Sequence, residues 1–109
     1  MTSPRPGRPV RGSHTGRPLM ALLDLLGRRW ALRVMWELRG EPLTFRALRE
    51  RCDDVSPSVL NERLAELREA GIVDAGPGGY ALTAEGARLG RKLAPLEAWA
   101  AEWEKRSGA

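Results

Sequence analysis

The chain has 109 residues, 42% apolar and 29% charged, with a formal net charge of +4. That length suits one domain with its own core, and the sequence holds neither an apolar run long enough to cross a bilayer nor, at its start, the apolar centre of a secretion signal. A single cysteine excludes an internal disulfide and fits a reducing compartment, so a cytoplasmic protein is expected.

Residues 1–17 are rich in Pro, Gly, Arg and Ser and read as a disordered basic arm. The arm holds Arg5, Arg8, Arg11 and Arg17. Setting these four aside from 18 basic residues leaves 14 against 14 acidic ones, so the remainder is formally neutral. Any affinity of the folded part for nucleic acid must come from local clusters of arginine. A solvated tail is the simpler reading of the arm, and a strand laid on phosphates or in a minor groove is the sharper one.

Pro18 opens the first helix, where Leu19, Leu22, Leu23 and Leu26 recur at helical spacing up to Gly27. A second helix is predicted over residues 29–39, ending at Gly40. Trp30, Val34 and Leu38 line one face, Ala31 and Met35 widen it, and Leu32 and Trp36 make another side apolar, so burial on nearly all sides is expected. Leu43 leads into Thr44, a helix cap or short strand, and Phe45, Leu48 and Cys52 share the face of a third helix. After a tight turn at residues 53–55, Ser56 caps the next helix and Pro57 takes its first position. Leu60, Leu64 and Leu67 form the buried side of that helix, which ends at Gly71. Residues 72–75 and 80–82 read as strands around a Gly-Pro-Gly-Gly turn. Thr83 caps a last helix whose Leu89, Leu93, Leu96, Ala100 and Trp103 step by 4, 3, 4 and 3 residues, with Pro95 expected to kink or break it. The order gives a mainly α fold with a small β-hairpin, a winged helix-turn-helix over residues 18–106.

In such a motif the N-terminal residues of the second helix reach base edges in the major groove. Ser56, Pro57, Ser58, Asn61, Glu62 and Arg63 are the candidates here. Asn can pair with adenine, Glu can accept from cytosine and Arg can pair with guanine. Angular spacing puts Ser58, Glu62, Ala65, Glu66 and Glu69 opposite the leucines, with Asn61 and Arg63 on the flanks. The same residues would equally make an ordinary solvated helix face with weak ion pairs. Thr44, Arg29 and Arg46, with Arg28, Arg49 and Arg51, could meet flanking phosphates. Enzyme chemistry finds no footing. The one histidine, His14, lies in the arm, Cys52 sits on an apolar face, and neither a nucleophilic triad nor a zinc-ligand spacing can be assembled. No catalytic residue, metal or cofactor is assigned. Trp99 and Trp103 read as core or interface rather than as a ligand pocket.

From Pro18 to Trp103 the chain resembles the HxlR-type family of bacterial winged-helix regulators. The run Leu26-Gly27-Arg28-Arg29-Trp30 looks like that family's hydrophobic-Gly-Gly-Lys-Trp signature, with Arg28 at the second glycine. Phe45 with Leu48, Ser56 with Leu60 and Leu64, and Tyr80-Ala81-Leu82-Thr83 with Gly86 match its helix-turn-helix and hairpin exit. The resemblance implies a homodimer built from the first and last helices that binds operator DNA, often as a repressor answering electrophiles, oxidants or small metabolites. Met20, Leu25, Leu89, Leu93, Leu96, Trp99, Ala100 and Trp103 are the expected interface, and an inverted-repeat operator follows from the two-fold axis. Two departures stand out. Arg17 occupies the place of the family's sensing cysteine, with Cys52 where a core leucine is usual, and the wing is short and carries Asp74 rather than arginine. The competing reading is a winged-helix protein-interaction module with weak or no DNA binding.

Overall fold

Pro18 takes the first position of α1 (Pro18–Leu26), where its missing N–H leaves no intrahelical bond unmade. The computed structural model describes residues 3–108, so residues 1 and 2 of the expected arm lie outside the described part. α2 (Ala31–Glu37) is shorter than expected, because Trp30 adopts a left-handed backbone with φ 77° and cannot belong to the helix it precedes. Its ring still packs against the core. α2 is also less enclosed than its composition suggests. Ala31, Val34 and Met35 are buried, but Leu32 and Trp36 are about half exposed, and the Arg39 guanidinium lies over the Trp36 ring.

Leu43 and Thr44 fill both of the roles considered for them. Leu43 exchanges two backbone hydrogen bonds with Tyr80, and the Thr44 hydroxyl accepts from Ala47 N at 3.1 Å to cap α3 (Phe45–Arg51). Ser56 likewise accepts from Val59 N at 3.3 Å ahead of α4 (Pro57–Glu69). The hairpin β1 (Val73–Gly76) and β2 (Gly79–Leu82) is antiparallel, pairing Val73 with Leu82 and Gly76 with Gly79, so only Pro77 and Gly78 form the turn. Gly79 has φ 109°, and a Cβ there would lie 2.4 Å from the Leu43 carbonyl oxygen, so the hairpin can approach Leu43 only with glycine at this position. Thr83 caps α5 (Ala84–Leu93) by accepting from Gly86 N. Pro95 breaks the final seam as expected, and α6 (Pro95–Arg106) starts afresh.

The architecture is therefore mainly helical with a two-stranded hairpin, a winged helix-turn-helix. Its core gathers Val34, Met35, Leu38, Leu48, Cys52, Leu60, Leu64 and Leu67 from the central helices, closed by Leu25 of α1 and Val73 of β1. Leu89 and Leu93 pack on this core from α5, whereas α6 buries no residue. The arm touches the domain at two acids. Arg11 Nε donates to Asp24 Oδ1 at 2.7 Å, and Arg5 pairs with Glu69. Among the described residues no helix is long and apolar enough to cross a membrane.

Candidate nucleic-acid interface

The turn between α3 and α4 sets the angle at which α4 leaves α3. Asp53 and Asp54 both take left-handed backbones, φ 55° and 56°, a conformation short polar side chains tolerate. Arginines hold the turn in that shape. Arg49 Nε donates to the Val55 carbonyl at 2.7 Å, and Arg33 Nη2 donates to the Arg51 carbonyl at 2.7 Å. Arg49 was expected at phosphates and is instead committed to building the turn.

α4 leaves this turn with Leu60, Leu64 and Leu67 buried, and Ser56, Pro57, Ser58, Asn61 and Glu62 exposed over its first turns. Thr44 and Arg46 are exposed at the start of α3, with the Arg46 side chain 92% exposed and only a loose contact to Glu50 at 3.5 Å. Arg29 is exposed beside the Trp30 ring. This set of hydroxyl, amide, carboxylate and guanidinium groups can donate to and accept from base edges and phosphates without first breaking a strong internal contact.

Arg63 departs from its expected place. Its side chain is 13% exposed, and Nη1 donates to Glu66 Oε1 at 2.6 Å while Nη2 lies 3.6 Å from Glu62 Oε2. Glu66, placed by angular spacing on the solvent side, is 6% exposed, because Arg28 of the α1–α2 turn folds over it and pairs with its other oxygen. Neither Arg28 nor Arg63 is presented to solvent as a free cation. No periodicity in α4 could have shown this, since Arg28 is 38 residues away in sequence. The wing offers little charge of its own, and Asp74 accepts from Ala75 N beside it.

The expected dimer residues divide in two. Leu25 is buried within the protomer, Met20 is half-buried, and Leu89 and Leu93 are taken up by the protomer's own core. Leu96, Trp99 and Trp103 are 54–58% exposed, with Ala100 exposed among them and the two indoles stacked at 5.7 Å. Sequence reasoning missed Leu19 and Leu23 of α1, exposed by 63% and 52%. Helical spacing places these leucines on α1 but does not say which of them face outward.

A helix-turn-helix with a hairpin wing and an exposed polar reading helix is the build of a DNA-binding transcription regulator. The HxlR-like helix-turn-helix family matches residues 25–108, and the chain belongs to that family. It is 32% identical over 88 residues to the HTH-type transcriptional regulator YvaP of Bacillus subtilis (strain 168), covering 74% of this chain and 82% of that one. Among solved structures it is similar to quinone-bound YodB of B. subtilis, with a TM-score of 0.74 at 30% identity over 78% of this chain and 97% of that one. A possible HxlR family transcriptional factor of Thermoplasma volcanium GSS1 shares the fold, with a TM-score of 0.67 at 24% identity over 81% and 85% of the two chains. These relatives are regulators of transcription, and none points to an enzyme.

Proposed function

We propose that the chain is a sequence-specific repressor that binds an inverted-repeat operator as a homodimer, with α4 in the major groove. The observation that carries this reading is the exposed polar face over the first turns of α4, on a helix otherwise seated in the core. Ser58, Asn61 and Glu62 would read bases, with Ser56 and Pro57 setting the start of the helix. Arg29, Thr44 and Arg46 would hold phosphates. Exposed apolar side chains on α1 and α6 are the kind of surface that a second copy covers, and family membership supports such a dimer. A regulator of this kind would work in the cytoplasm on double-stranded DNA.

A small-molecule effector is part of the proposal. An open cleft of about 940 Å³ lies between the arm, α1 and α5, floored by Leu22, Leu25, Ile72 and Leu89. YodB has been solved with quinone bound, which supports a small-molecule signal here too. With Arg17 in place of the family's cysteine, that signal would act by non-covalent binding.

The test is enrichment of duplexes from a random-sequence library, followed by affinity for the enriched duplex and a scrambled version across salt. Asn61→Ala is expected to shrink the enriched duplex's advantage by about 1–3 kcal/mol. Arg29→Ala and Arg46→Ala should weaken both duplexes alike and flatten the salt slope by about one unit per lost contact. If wild type bound no duplex at low salt, the second reading would take over, that of a protein-interaction module. Exposed Glu62 on α4 and a wing whose one charged residue is Asp74 favour that reading.

A further inference from the structure

α4 is seated by Leu60, Leu64 and Leu67, each at most 2% exposed. Apolar packing presses a helix onto a core but is non-directional, so it sets rotation about the helix axis only loosely. Base reading needs side chains held to within about 0.5 Å of their productive positions. A directional contact is required, and the structure contains one. Glu66 accepts from Arg28 of the α1–α2 turn and, at 2.6 Å, from Arg63 of its own helix. Both arginine side chains are 13% exposed, and Arg63 Nε is buried without a partner, so Arg63 is held through Nη1 by Glu66, with Glu62 in loose contact at 3.6 Å. The chain of charges Arg28, Glu66, Arg63, Glu62 thus runs from outside the helix-turn-helix to a candidate reading residue without passing through α3.

Stability is a poor explanation for such a cluster. Well-packed apolar groups of the same volume are often as stabilising as a buried ion triad or more so. We propose that Arg28 is a specificity-determining positioning residue. Through Glu66 and Arg63 it fixes the rotation of α4 and the aim of Glu62 and neighbouring Asn61 at base edges. The inference rests on the DNA-reading function proposed above.

The experiment uses the full chain, the duplex that wild type enriches from a random library, and a scrambled version of it. Thermal melting of each variant checks that it folds. Arg28→Ala and Glu66→Gln are each expected to lower the enriched-over-scrambled affinity ratio by about tenfold, the size of one lost base contact. Affinity for the scrambled duplex and the salt slope should stay unchanged. The double variant should be no worse than either single one, because both break the same link, and Arg28→Lys should recover part of the ratio. The triple variant Arg28→Met/Arg63→Met/Glu66→Leu should melt no lower than wild type and still discriminate poorly.

Three results would overturn the proposal. In one, the triple variant keeps the full ratio, which makes the cluster merely structural. In another, Arg28→Ala weakens both duplexes and flattens the salt slope, which makes Arg28 a phosphate contact. In the third, Glu66→Gln tightens both duplexes, which makes Glu66 only a source of repulsion. A wild type that enriches no sequence removes the reading function itself, and this inference with it.

Discussion

Cys52 has no exposed surface, and burial pushes its thiol above the usual range. The thiolate is the reactive form, so this side chain is inert at neutral pH while the domain stays folded. Maleimide labelling should therefore proceed only as fast as the protein opens, and Cys52→Ala should cost about 1 kcal/mol as a small core truncation. DNA affinity should be indifferent to diamide, and an oxidant response abolished by Cys52→Ala would contradict this. The place of Cys52 was legible because the third helix has a clear apolar period. Glu66 and Arg63 were not legible for the opposite reason. Their angular positions on α4 are correct, but whether a flank is wet or covered depends on a side chain arriving from another element. Local period carries no record of Arg28.

Helix existence and caps follow from short-range chemistry, which is why Thr44, Ser56, Thr83 and the proline starts could be placed from sequence. The final seam shows where that reasoning stops. Its 4, 3, 4, 3 stepping reads as one stripe, yet Pro95 lacks the N–H that would carry the helix through. The break hands Leu89 and Leu93 to the protomer's core and leaves Leu96, Trp99 and Trp103 outside it. Because α6 buries nothing in its own protomer, removing residues 96–109 should leave a folded domain with a melting temperature close to that of the full chain. In sedimentation at micromolar concentration the full chain is expected as a dimer and the truncated one as a monomer. Equal sedimentation of the two would rule out the last helix as the seal.

At the scale of the whole molecule, the radius of gyration is 14.8 Å, against about 13 Å for a compact domain of this length. Charge is laid out unevenly as well. Composition put the basic surplus in the arm, but two of its four arginines are spent on acids of the domain, Arg5 on Glu69 and Arg11 on Asp24. Burial pushes the Asp24 carboxyl up, but hydrogen bonds from Arg11 and the charges of Arg11 and Arg28 outweigh it and hold the group below its ordinary value. An acid whose pKa is depressed on folding adds stability that is complete above the unfolded value, about 3.9, and is lost as pH falls through the folded one. The full chain should therefore lose stability on acidification below about pH 4. Removing residues 1–16 deletes Arg11 and with it the hydrogen bonds and charge that hold Asp24 low. In that variant the acid slope should flatten and stability at neutral pH should fall. Unfolding by urea from pH 2 to 7 measures both, and parallel curves for the two chains would show that the arm and Asp24 are not coupled.

The pair of backbone bonds between Leu43 and Tyr80 joins the hairpin to the residue just before the α3 cap. The hairpin and the start of α3 are thereby tied to one frame, so the wing keeps its place relative to the helix-turn-helix. In the proposed dimer the word that each protomer reads and the gap between the two words are then governed by separate parts of the chain. The word belongs to the frame. The gap depends on the exposed faces of α1 and of α6 beyond the break at Pro95, so grafting α6 should retune the distance between half-sites while the vocabulary of the half-site stays the same.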